Sequence, residues 1–213
     1  MSDTLQSLTQ GELLALAVEA SRRNDAGHAL AYLKEASSRA DASAQALFML
    51  GSEYAQLGLM GDAKASMARA VEVGPDFAIA RFQLGMLHLT SGEADAARTT
   101  WAPLTLLGAD HPQAYLSAFH RGMLHLMVDE FDDAVEALNA GLAQNQENEA
   151  LNGDMRRVID AIEHLPGRSP QASAPAASPS EPEAAPAPSV DEDADVEPSH
   201  LFINAYTHRG KPH

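Results

Sequence analysis

Cysteine is absent from the chain, which excludes a disulfide framework, a thiolate nucleophile and a Cys-ligated zinc site. That absence fits a reducing compartment. Bases are scarce too: 14 Lys and Arg stand against 30 Asp and Glu, a formal net charge of −16 over 213 residues. A surface of that sign repels phosphate, so neither nucleic acid nor an anionic membrane is expected as a partner. No run of 18 apolar residues occurs, and the N-terminal MSDTLQSLTQGELLALAVEA has no basic stretch ahead of its apolar residues. A membrane span and a signal peptide are therefore not expected, and the cytoplasm is the expected location. Also missing are a glycine-rich phosphate loop, a G-x-S-x-G elbow and a dinucleotide fingerprint. No catalytic residue, cofactor or enzymatic activity is expected from such a chain.

What the sequence does contain is a fixed period. Ala29, Ala63 and Ala97 are 34 residues apart, and Ala134 follows after 37. Twelve residues before each stand Ala17, Gly51, Gly85 and Gly122, and four residues after each come Leu33, Met67, Trp101 and Leu138. A period of this length decides the architecture before any local reading does. Each unit reads as two helices with a short break between them. In the second, Leu47, Leu50 and Tyr54 recur at helical spacing, Gly58 and Gly61 interrupt, and Ala63, Met67 and Ala70 continue to Gly74-Pro75. Small residues let paired helices approach, and the large residue four positions on fills the space left. Thr9 and Glu12 have the spacing of a capping box at the start of the first unit.

This pattern resembles the tetratricopeptide repeat family. Leu50-Gly51, Tyr54, Ala63, Ala70 and Pro75 carry the resemblance best. It implies an all-α, right-handed helical solenoid of about four helix pairs, with repeats near 10–43, 44–77, 78–111 and 115–148 after a lead-in at 1–9. The departures are Ala17 in a glycine place, His88 and His125 in tyrosine places, Pro103 inside a second helix, and about three extra residues in 109–114. Pro103 predicts a kink or an early stop near Ala102, because proline removes a hydrogen bond and clashes with the preceding turn.

Residues 149–165 place Leu151, Met155, Val158, Ile159, Ile162 and Leu165 on one helical stripe, as a helix covering the last apolar face of an array would. A partner-binding helix is the alternative. Residues 166–198 then hold 8 of the 12 prolines, an acidic Asp191-Glu192-Asp193 run and no large apolar residue beyond Val190 and Val196. Nothing there repays the entropy of ordering, so a disordered linker is expected. Residues 199–213, SHLFINAYTHRGKPH, change character again, with Leu201, Phe202, Ile203, Tyr206 and Arg209. A frayed terminus and a short linear motif that orders on binding are both open readings.

The resemblance further implies that the first helix of each unit lines a concave face. Leu14, Phe48, Phe82 and Phe119 hold equivalent places, followed by Val18, Met86 and Met123 one turn on, then Leu89 and Leu126, with Met49 alongside. These make a second apolar stripe, separate from the one that pairs the helices. Either it forms a groove for an apolar or aromatic peptide, or neighbouring repeats bury it against one another. A carboxylate clamp is not expected, since no basic pair recurs on this face. A linker of 33 residues spans about 30 Å and holds a tail at roughly millimolar effective concentration, so 199–213 could occupy the groove of its own chain or of a neighbour.

His88 and His125 read as packing residues, and His120 and His125, five apart, lack the i, i+4 spacing of a helical zinc site. Asp129-Glu130-Phe131-Asp132-Asp133 lacks the glycine and final glutamate of a calcium loop and reads as a solvated turn. No metal is expected. The expected function is a protein–protein interaction scaffold or adaptor. The alternatives are a cytoplasmic holding chaperone, similar in size and acidity to those of type III secretion but differing in its linker and terminal segment, and a self-assembling homo-oligomer joined through the tail.

Overall fold

The computed structural model describes residues 5–165. Within them the chain forms helices and no strands: α1 (Gln10–Arg22), α2 (Ala26–Ser38), α3 (Ala44–Gln56), α4 (Met60–Val73), α5 (Ala78–Thr90), α6 (Ala94–Trp101), a 3₁₀ segment (Ala102–Leu106), α7 (Tyr115–Leu126), α8 (Phe131–Gln144) and α9 (Glu149–Glu163). The linker 166–198 and the segment 199–213 lie outside the described residues. The helices pair as α1–α2, α3–α4, α5–α6 and α7–α8, each pair stacking on the next, with α9 against the last. No helix among the described residues is long and apolar enough to cross a membrane.

The helix ends follow local chemistry. Thr9 and Glu12 close the capping box of α1, each bonding the other's backbone N–H, so two orphan donors are satisfied at once. Asp25, Ser43 and Asn148 cap α2, α3 and α9 through their side chains. All four turns between paired helices hold one residue at positive φ: Asn24 (55°), Gly58 (74°), Gly92 (80°) and Asp129 (60°). Glycine adopts that backbone without steric cost, and Asn and Asp are the residues that tolerate it next best.

The pairing itself runs through the periodic residues. A Cβ placed on Gly51 would stand 2.7 Å from Met67 Cγ, one on Gly85 2.1 Å from Trp101 Nε1, and one on Gly122 2.7 Å from Leu138 Cγ. The glycine of each first helix is thus the floor on which the large residue of the second helix lies. Ala17 and Leu33 meet in the same way in the first unit.

Pro103 has the expected effect. α6 stops at Trp101 after eight residues, and the chain continues as the 3₁₀ segment with proline in its first turn. This places the fully buried Trp101 over α5, where its Nε1–H donates to the Phe82 carbonyl at 2.9 Å. Leu104 then enters the core as Leu106, 84% exposed, leaves it.

The core is uneven along the array. One continuous cluster joins the third and fourth units to α9 and includes Ile79, Phe82, Trp101, Leu116, Phe119, Leu138, Met155 and Ile159. The first two units hold several smaller clusters, such as Leu13 with Ala36 and Ala46, and Ala17 with Leu33 and Leu50.

Candidate functional site

The first helices, α1, α3, α5 and α7, form one layer, and the ten residues read as a groove divide sharply along it. In the first two units the stripe stays accessible. Val18 is 45% exposed, and Leu14, Phe48 and Met49 are half-buried. Phe48 leans edge-on against Phe77 with ring centroids 5.3 Å apart, which fixes its ring while leaving part of it open.

In the last two units the stripe is core, and the expectation of an open groove is corrected there. Phe82, Met86, Phe119, Met123 and Leu126 are all buried, both phenylalanines completely; Leu89 is half-buried. The reason is aromatic bulk on adjacent helices. Phe82 and Phe119 lie 6.2 Å apart, Trp101 stacks on Phe82 at 6.0 Å, and Tyr115 meets Phe119 edge-on at 5.7 Å. Four rings on successive elements close over one another, because aromatic pairs at these distances gain more from mutual contact than from water. The counterparts in the first two units are Leu14 and Phe48, which have no tryptophan over them and lie among the half-buried Tyr32 and Tyr54. The tail residues Leu201, Phe202, Ile203, Tyr206 and Arg209 lie outside the described residues.

Several polar features of this layer escaped sequence reasoning. Ser21 donates its hydroxyl to Glu53, a buried carboxylate on the neighbouring α3, so the open half has a polar seam at its edge. His88 and His125, partly buried at their register places, each also bond the glutamate that precedes the next helix, His88 Nδ1 to Glu93 Oε2 at 2.6 Å and His125 Nδ1 to Glu130 Oε2 at 2.7 Å. The repeated His-x₄-Glu spacing was the available signal. Hydrogen bonds from Lys64 and His88 hold the Glu93 carboxyl below its usual range. His120 is buried with neither ring nitrogen at hydrogen-bond geometry. Burial pushes its pKa down, with the nearby Leu116 and Ser117 backbone opposing that only in part.

Residues 44–77 match the tetratricopeptide repeat family. No curated protein sequence matches the chain. In fold it is similar to solved structures of MamA. One crystal structure is 21% identical, covering 64% of this chain and 78% of the other with a TM-score of 0.52. A second is 19% identical over 72% and 85%, at 0.51. Residues 41 to the end of MamA from Desulfovibrio magneticus RS-1 are 18% identical over 72% and 87%, at 0.50. Residues 44–77 are thus a tetratricopeptide repeat, and the described residues share the helical-array fold of these structures.

Proposed function

We propose that this protein is an interaction scaffold in the cytoplasm. It holds an apolar or aromatic segment of another polypeptide against the first-helix layer of its first two units. The observation that carries the reading is the accessible stripe of Val18, Leu14, Phe48 and Met49 on the first helices of these units. Helical arrays use such faces for extended partners. No chemistry is asked of the site. The acidic array favours a partner segment that is neutral or basic. The segment 199–213, apolar and basic, meets that description and is tethered by the linker. It either competes for the stripe or recruits a second protein.

Affinity capture with full-length protein, with Val18→Asp, and with a form lacking 199–213 tests the reading. A partner that survives in the wild-type eluate and disappears with Val18→Asp supports it. If Val18→Asp retains every partner, the stripe is not the binding face. Removal of 199–213 should tighten binding of a stripe ligand if the tail competes, and should lose a distinct protein if the tail recruits.

A further inference from the structure

Three places recur at each turn between paired helices, and they decide what the turn can hold. The first, on the outgoing helix, is Ala20, Tyr54, His88 or His125. The second, just before the incoming helix, is Asp25, Leu59, Glu93 or Glu130. The third, in that helix's first turn, is His28, Asp62, Ala96 or Asp133. Alanine, tyrosine and leucine serve elsewhere, so packing does not demand ligating side chains here. Only the fourth unit has them at all three places, and there the structure brings them together: ligand atoms of His125, Glu130 and Asp133 all lie within 4.8 Å of one another.

The third unit shows that this turn accepts a cation. Its Glu93 bonds His88 with one oxygen and takes the Lys64 ammonium on the other at 2.5 Å. The lysine's counterpart one unit on is Arg98, which pairs with Asp95 at 3.0 Å instead. Among the described residues no lysine or arginine forms an ion pair with Glu130 or Asp133. The fourth turn therefore has one carboxylate more than the third and lacks its ammonium.

We propose that His125, Glu130 and Asp133 form a binding site for a divalent transition-metal ion of the zinc type. A neutral imidazole with two carboxylates matches the charge of a dication, and nitrogen with carboxylate oxygen is a ligand set that zinc accepts. Ligand atoms at 2.0–2.2 Å from zinc stand about 3–3.6 Å apart. The closure required is about 1 Å or more, within reach of side chains that are partly or largely exposed. The ion takes the place of the hydrogen bond between His125 Nδ1 and Glu130, the imidazole carrying its one proton on Nε2, and water completes the coordination. The positive end of α8 opposes a cation, and two carboxylates outweigh that. Bound metal would clamp α7 to α8 across their turn.

Isothermal titration of the full-length protein with zinc chloride, in a buffer that does not chelate, tests the site. Wild type should show a specific site that Asp133→Ala weakens at least tenfold. That substitution gives the fourth turn the third turn's residues at these places. His125→Ala should weaken it as much, whereas His88→Ala should leave it unchanged. Asp133→Asn provides a second variant of unchanged size, with circular dichroism confirming that each variant is folded. Zinc binding that persists in both Asp133 variants and in His125→Ala would assign the metal to other histidines, those of 199–213 included, and overturn the site. So would equal weakening by His88→Ala, or no binding up to millimolar zinc. None of these outcomes bears on the stripe of the first two units.

Discussion

Trp101 sits in space that exists only because residue 85 has no side chain. A Cβ there would overlap the indole, at 2.1 Å from its nitrogen, and the ring is held in place by its bond to Phe82. Gly85→Ala should therefore cost about 1–3 kcal/mol, read as a lower urea midpoint. Gly11→Ala, with nothing near its Cβ, should lose nothing. His120 gives a prediction with a pH sign. Its folded pKa is depressed by burial, so its contribution is fully present above the unfolded value of about 6.5. That contribution is lost as pH falls from there through the folded value, because the unfolded chain takes up the proton first. Melting temperatures of wild type should drop between pH 7.5 and 5.5 more steeply than those of His120→Leu. Small–large pairs such as Gly85 with Trp101 were legible in the sequence because both partners belong to one repeating unit. The His88–Glu93 and His125–Glu130 bonds were obscured by register, which assigned the histidines to packing, while a left-handed residue in the turn brings the glutamates back to them.

At the scale of the element, the short α6 and the last helix α9 do most to shape the array. Proline chemistry made the stop after Trp101 readable in advance. What the proline could not reveal is where the released chain goes: down into the core at Leu104 and out at Leu106. α9 was readable from its stripe, of which Leu151, Met155, Ile159 and Ile162 are inside while Val158 is half-buried and Leu165 is exposed. Met155→Ala should cost about 2–5 kcal/mol by leaving a cavity between α9 and its neighbours. Arg156→Ala, which removes an exposed ion pair with Glu149, should leave stability nearly unchanged. Thermal unfolding of the two variants side by side separates the cases. The unequal result would also distinguish a structural cap from a helix held ready for a partner.

For the whole molecule, the division of the first-helix layer is the main finding the sequence did not disclose. Phe48, Phe82 and Phe119 occupy the same register, and periodicity treats them alike. Whether such a ring faces water depends on the residue that the next helix offers it. Phe82 meets Phe119 and Trp101, while Phe48 meets Phe77 alone among the rings. A stripe can be read from one helix, but its cover can only be read from two. The number of helix pairs and the cap were accessible because each depends on local periodicity, and the extent of the open face was not.

The uneven core also governs how the array comes apart. A stacked array opens from the end whose units hold one another least. Here that end is the first two units, with their small separate clusters, while the last two and α9 share one. Amide protons of α1–α3 should exchange with deuterium faster than those of α5–α9, which mass spectrometry of peptic fragments would resolve. Equal rates along the array would show that it opens as one unit. The proposed binding stripe then lies on the part of the molecule that frays, so a partner would be recorded as slowed exchange there, and its affinity would include the work of keeping the array wound.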